Sequence, residues 1–207
     1  ALAGLPGETD ITVVTVIGNQ LTTAVELYAH PAKRDALRIK VADGIANLLA
    51  SAKAESDHQL QFARNFTSFA ASAEHNDLIK ELLDGKLAGL KVDADLRWTF
   101  VIALSERGLM DKESLAAELL KDNTLTGQLS HATALAAMPT AEAKAETWKS
   151  ITTEEISTSE REAKLAGFMR ALHRPLLAAY VDPYFDLLLE TWGKKSYEVA
   201  SKFVGGM

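Results

Sequence analysis

Residues 31–53 read PAKRDALRIKVADGIANLLASAK, and their pattern decides the class of fold. Leu37, Val41, Ile45, Leu48 and Leu49 recur at three- and four-residue intervals, the spacing that lines one face of an α-helix. Pro31 suits the first turn, where its missing N–H would have no helical partner. Outward from this segment the pattern repeats. Ser56 with Gln59 forms a capping box that opens a helix carrying Phe62, Phe66 and Phe69. Asn76 or Asp77 is expected to cap a short helix of Leu78, Ile79, Leu82 and Leu83, ended by Gly85. Asp93 suits the N-cap of residues 94–107, where Leu96, Trp98, Phe100, Val101, Ile102 and Leu104 surround the axis; such a helix is expected to be central and buried.

Asp111 caps a helix with Leu115 and Leu119, and Leu125, Leu129, Ala132 and Ala136 stripe another that stops before Pro139. Thr140 starts the next, with Ala141, Ala145 and Trp148 inward. Ser157 with Glu160 is a second capping box, leading to Leu165, Phe168, Met169 and Leu172. Asp182 and Pro183 open a helix with Phe185, Leu188, Leu189 and Trp192, and after Gly193 a last one carries Tyr197, Ala200 and Val204. Residues 11–17 are rich in β-branched side chains and alone would suit a strand, but with no convincing second strand to pair they are predicted helical. Helix follows helix at about two per 40 residues. The expected architecture is all-α: an α-solenoid of stacked antiparallel helix pairs, a HEAT/armadillo-like superhelix, forming a single helical domain over residues 1–207.

Of the 207 residues, 47% are hydrophobic and 24% charged, the balance of a soluble chain able to bury a core. The net charge of -6 excludes a general phosphate-backbone binder, which needs basic stripes to displace counterions. Lys33, Arg34, Arg38 and Lys40 are punctuated by Asp35 and read as a solvated helix face. Without cysteine there is no disulfide framework, thiolate nucleophile or Cys-based zinc site, and a cytoplasmic location is expected. Thr12 and Thr15 interrupt the apolar run near the start, which is neither a signal peptide nor a membrane span. A chain that begins at Ala1 rather than Met is expected to be a piece of a longer one.

The search for chemistry assigns no catalytic, cofactor-binding or metal-binding residue. His30, His58, His75, His131 and His173 include no His-Glu dipeptide and no two histidines four apart, so the facing pair of a zinc helix is missing. No Gly-x-Ser-x-Gly elbow or Gly-rich phosphate loop occurs. The polar residues of 123–127 read as a helix cap rather than an anion loop, and Glu154-Glu155 and Glu160 with Glu162 as solvated turns. Trp98, Trp148 and Trp192 each sit on an apolar face and are expected in the core. Arg97 has two readings: an internal ion pair with Asp93 or Asp95, or a residue projecting into a groove or domain interface.

Several segments together resemble one family. Val92-Asp93-Ala94-Asp95-Leu96-Arg97-Trp98 is similar to a helix start in the C-terminal helical domain of bacterial aminopeptidase N, the endoplasmic-reticulum aminopeptidase C-terminal-like domain. The runs 121–127 and 139–148 resemble actinobacterial members, as do Glu190-Thr191-Trp192 in the final stretch, Gln20-Leu21-Thr22-Thr23-Ala24-Val25, and Leu82-Leu83-Asp84-Gly85. The resemblance covers nearly the whole chain, which ends at Gly205-Gly206-Met207. It implies a parent gluzincin, a zinc metallopeptidase that hydrolyses N-terminal residues from peptides with two His and a Glu on zinc, a Glu that activates water and a Gly-x-Met-Glu-Asn segment for the free amine. None of those motifs matches a position here, so zinc is expected in a catalytic domain outside this chain. The resemblance thus implies a non-catalytic domain that covers the active-site cleft and shapes substrate access. Its expected partners are the catalytic domain of the same polypeptide and, indirectly, peptide substrates, with no nucleic acid and no membrane. The alternative is an independent helical-repeat protein-interaction scaffold.

Overall fold

A computed structural model describes residues 2–194 and 196–205; Ala1, Gly206 and Met207, quoted for the chain ends, lie outside them. The described residues are helical throughout and include no strand, as the periodicity predicts. They fall into two compact units, Ala1–Ala103 and Leu104–Met207.

In the first unit a 3₁₀ segment, Leu2–Gly7, precedes α1, Ile11–Thr23, whose N-cap is Asp10, accepting from the Thr12 N–H at 2.8 Å. The β-branched run is therefore helix, with Val14 and Gly18 buried. A Cβ at Gly18 would meet the Asn65 side chain at 2.7 Å, so glycine sets how near α1 comes to α3, Asp57–Phe69. The helix runs on into a π-helical turn, Ala24–Tyr28. Then comes α2, Pro31–Ser51, with Val41, Ala42, Ile45 and Leu49 buried and packed with α3. Ser56 Oγ caps α3 by accepting from the Gln59 N–H, but Gln59 returns its side-chain oxygen to the Glu55 N–H, one residue before the N-cap.

The π-helical turn is held by two arginines of α2. Arg38 donates twice to Glu26, at 2.7 Å each, and once to Asp35, also at 2.7 Å; Arg34 donates to the Val25 and Ala29 carbonyls. Glu26 and Arg38 are both buried, so the basic cluster read as a solvated face contains one inward-facing ion pair. Next is α4, Ala73–Leu83, which starts earlier than predicted: its N-cap is Ser72, accepting from the His75 N–H, and Asn76 and Asp77 lie inside it. Gly85, at φ 71°, ends it with Lys86 N–H donating to the Glu81 carbonyl at 3.0 Å, a left-handed cap that favours glycine. Asp93 caps α5, Ala94–Glu106, by accepting from the Leu96 N–H at 2.9 Å. Leu96, Trp98, Phe100, Val101 and Leu104 are all buried, as expected of a helix apolar all round.

The second unit continues with α6, Lys112–Lys121; α7, Leu125–Ala136; α8, Ala141–Thr153; and α9, Thr158–Phe168. Asp111, Thr124, Thr140 and Ser157 cap them, each accepting from the N–H three residues on. Ser157 makes only half of the predicted box, because Glu160 turns its carboxylate to Lys164 at 2.7 Å. Each helix touches its successor, and α7 also packs on α9. That crossing is close: Thr133 Oγ1 donates to the Ala163 carbonyl at 3.0 Å, and a Cβ at Gly167 would lie 2.2 Å from the Thr133 carbonyl oxygen.

Two 3₁₀ turns, Ala171–His173 and Ala178–Tyr180, flank the single turn α10, Arg174–Leu177. They lead directly into α11, Val181–Lys194, and then α12, Tyr197–Gly205. Asp182 and Pro183 lie in the first turn of α11, the opening position expected of them. Trp148, Phe168, Tyr180, Tyr184 and Phe203 form a linked aromatic cluster, with neighbouring centroids 5.1–6.3 Å apart. Trp98 and Trp148 meet the core expectation, the latter half-buried, but Trp192 does not: it is 52% exposed, because Tyr184, on another face of α11, makes the contact with Phe203. Leu125 and Tyr197 are likewise exposed; Ala200 and Phe203 carry the inward face of α12.

Candidate functional site

A groove of about 510 Å³ opens in the second unit among α6, α7, α8 and α9. Leu119, Leu129, Ala132 and Leu135 supply its apolar wall, while Glu146, Ser150, Glu160 and Lys164 bring polar groups from α8 and α9. Lys164 Nζ lies 2.7 Å from Glu160 and donates at 2.7 Å to Ser150 Oγ, which donates at 2.7 Å to Glu154. Glu146 pairs with Lys112 at 3.0 Å. The Ser150 hydroxyl thus sits between a paired ammonium and a carboxylate, with no imidazole in the chain of bonds to act as its base. His131 also lines the groove, and burial pushes its pKa down, which keeps the imidazole neutral near pH 7. The arrangement can hold a chain segment by shape and hydrogen bonds.

Beside the groove, Lys144 is fully buried. Its Nζ donates to the carbonyls of Ala136 at 2.6 Å, Phe168 at 3.2 Å and Gly167 at 3.3 Å, the last residues of α7 and α9, and stands 5.7 Å from the Phe168 ring centre. One ammonium therefore caps two helix C-termini, where the carbonyl ends favour a cation. Burial pushes Lys144 down to about 8, opposed by the charge of Glu106 and assisted by that of Arg170. His173, also buried, donates through Nε2 to the Glu106 carbonyl at 2.8 Å; burial pushes its pKa down as well. Little in the local sequence pattern singles out Lys144. Its one signal was a lysine in register with Thr147 and Ile151, on the side of α8 that is buried.

Arg97 stands half-buried on α5, with its guanidinium toward the Leu83 carbonyl at 3.4 Å. Nearby, Asp93 caps the helix and Asp95 pairs with Arg64 at 2.5 Å, and Arg97 makes a further interaction of its own besides the Leu83 carbonyl. The histidines have structural neighbours: His30 accepts from the Ala32 N–H, His58 meets the Glu8 carbonyl, and His75 lies between the Ala71 N–H and Asp43. Among the described residues no three His, Asp or Glu side chains converge as a metal site, so the donor set of a gluzincin zinc does not fit here. Among them, too, no helix is long and apolar enough to cross a membrane.

The family model for the ERAP1-like C-terminal domain matches residues 1–207. The chain is 40% identical over 209 residues to the aminopeptidase N of Streptomyces lividans, an alignment that covers 100% of this chain and 24% of that protein. The chain thus spans about a quarter of the length of that curated relative, and by its family match and this identity it belongs to the ERAP1-like C-terminal domain family.

Proposed function

We propose that this chain is the non-catalytic domain of a cytoplasmic zinc aminopeptidase that removes N-terminal residues from peptides, and that it covers the catalytic cleft and shapes substrate access. The observation that carries this reading is the family match along the whole chain at only a quarter of the relative's length. The zinc, the water-activating glutamate and the amine-binding segment belong, on this reading, to the remaining polypeptide. The groove on α6–α9 supports it: polar groups already tied to one another can guide a peptide without donating a reacting group. Its action is steric and electrostatic, excluding bulk water and admitting chains by their free end. On this reading Arg97, which does not line that groove, faces the interface with the catalytic domain.

The test compares the complete polypeptide with a version lacking this domain. Zinc content should be retained, while the ratio of kcat/KM for a longer peptide to that for a single-residue chromogenic substrate should change. An unchanged ratio in a soluble truncated enzyme would overturn the reading. The isolated chain should hold no stoichiometric zinc after dialysis and release no amino acid from aminoacyl substrates; one tightly held zinc per chain would refute that part.

A further inference from the structure

Helix α11 carries more exposed large apolar side chains than any other described helix of its unit. Val181, Phe185, Leu189 and Trp192 are 50%, 63%, 83% and 52% exposed, and Tyr197 at the start of α12, 79% exposed, sets its ring 5.9 Å from that of Trp192. At about 100° per residue the four helical positions fall within an arc of roughly 80° and extend over about 16 Å. The stripe is not the face α11 uses within its own unit: Tyr184, on another arc, packs against Phe203 and donates to the Val204 carbonyl. Asp182, Asp186 and Glu190 each come one residue after an apolar position, so an acidic row runs alongside the stripe. Of the three, Glu190 is paired, with Lys194 at 2.9 Å.

We propose that this stripe with its acidic flank is the seat of an apolar surface rimmed by Lys or Arg on the remaining part of the same polypeptide. The inference rests on the domain reading above and adds which helix makes the contact. Charge selects against an antiparallel second copy: two such faces packed about a two-fold axis perpendicular to α11 would set Asp182, Asp186 and Glu190 of one against the same row of the other. Size selects for a tethered partner. Five side chains of this kind offer about 600 Å². Covered from both sides, that gives about 1,200 Å², within the range of interfaces between domains of one chain and at the lower limit for stable free complexes. A tether supplies the effective concentration that a patch of this size needs.

The experiment is hydrogen–deuterium exchange of the wild-type complete polypeptide and of this chain alone, then of Leu189→Asp and Phe185→Ser in the complete polypeptide. Leu120→Asp, at an equally exposed leucine on α6, is the control. The expected result is exchange in residues 185–192 slower by on the order of tenfold in the complete polypeptide. That protection should be lost in the two stripe variants and kept in the control. Equal exchange in both proteins, with a zinc-bearing part present and active, would overturn this inference and leave the domain reading standing. An open reading frame with no zinc-binding segment would overturn the domain reading and this inference with it. A concentration-dependent dimer of the chain, dispersed by Leu189→Asp, would assign the stripe to a second copy and overturn the proposal.

Discussion

The Nζ of Lys144 stands 2.6 Å from the carbonyl oxygen of Ala136, the last residue of α7, inside a fully buried environment. A cation is thereby placed where the peptide dipoles of two helices end. Lys144→Met keeps the aliphatic stem but leaves three carbonyls without that donor, and should cost about 1–3 kcal/mol in denaturant unfolding. Because burial lowers Lys144 to about 8 from an ordinary 10.5, the folded chain binds fewer protons than the unfolded one between those values. Its cost to folding is present below pH 8 and is relieved as pH rises toward 10.5, by about 3 kcal/mol at most. Wild type should therefore gain stability relative to Lys144→Met between pH 7.5 and 9.5; a constant difference would refute this.

His173 acts in the same direction at lower pH. Burial holds its pKa below the ordinary 6.5, so the unfolded state takes up a proton first as pH falls. Stability should drop from pH 6.5 downward until the folded-state pKa is reached. Melting temperatures at pH 7.5 and 5.5 should differ less in His173→Phe than in wild type.

Glu26 and Arg38 form a buried two-point ion pair in the first unit. Glu26→Ala leaves the guanidinium with Asp35 alone and should cost about 3–5 kcal/mol, whereas the double variant Glu26→Leu, Arg38→Met should cost markedly less. A double-mutant cycle with no coupling would show that the pair is not made.

At the α7–α9 crossing, Gly167→Ala would press a methyl group against the Thr133 carbonyl and Ala136. The expected loss is about 1–3 kcal/mol, with Gly193→Ala, which meets nothing within 4 Å, as the control.

Trp98→Ala should cost about 3–5 kcal/mol, the range for emptying a large buried aromatic site. Its neighbour separates structure from function. Arg97→Ala separates its two readings: a loss of stability in the isolated chain points to an internal ion pair, whereas normal stability with altered kcat/KM of the complete enzyme toward peptides points to the groove or domain interface.

Helix starts were legible where one side-chain oxygen precedes a periodic run, as at Ser56, Asp93, Asp111 and Thr140. Ser72 was missed because Asn76 and Asp77, nearer the leucines, are equally able to cap. Burial was harder to read. An apolar stripe states that a helix face wants to leave water without stating where its cover is, and so Trp192 reads as core although the described residues leave it half exposed. Spacing alone shows that no two histidines form the facing pair of a zinc helix, but the tie between Lys144 and the ends of α7 and α9 depends on tertiary placement. No local pattern announces it.

The π-helical turn at Ala24–Tyr28 bears on how this domain can change length. A wide turn of this kind accommodates a surplus residue within an otherwise regular helix. Deleting one residue there would restore ordinary winding and shift the register of the side chains within the turn. Glu26 would swing from the Arg38 guanidinium, and the carbonyls that Arg34 reaches would move with it. Shortening the segment therefore carries the same penalty as breaking a buried ion pair. Insertions and deletions in this domain should accumulate in the exposed turns between helices and avoid residues 24–28.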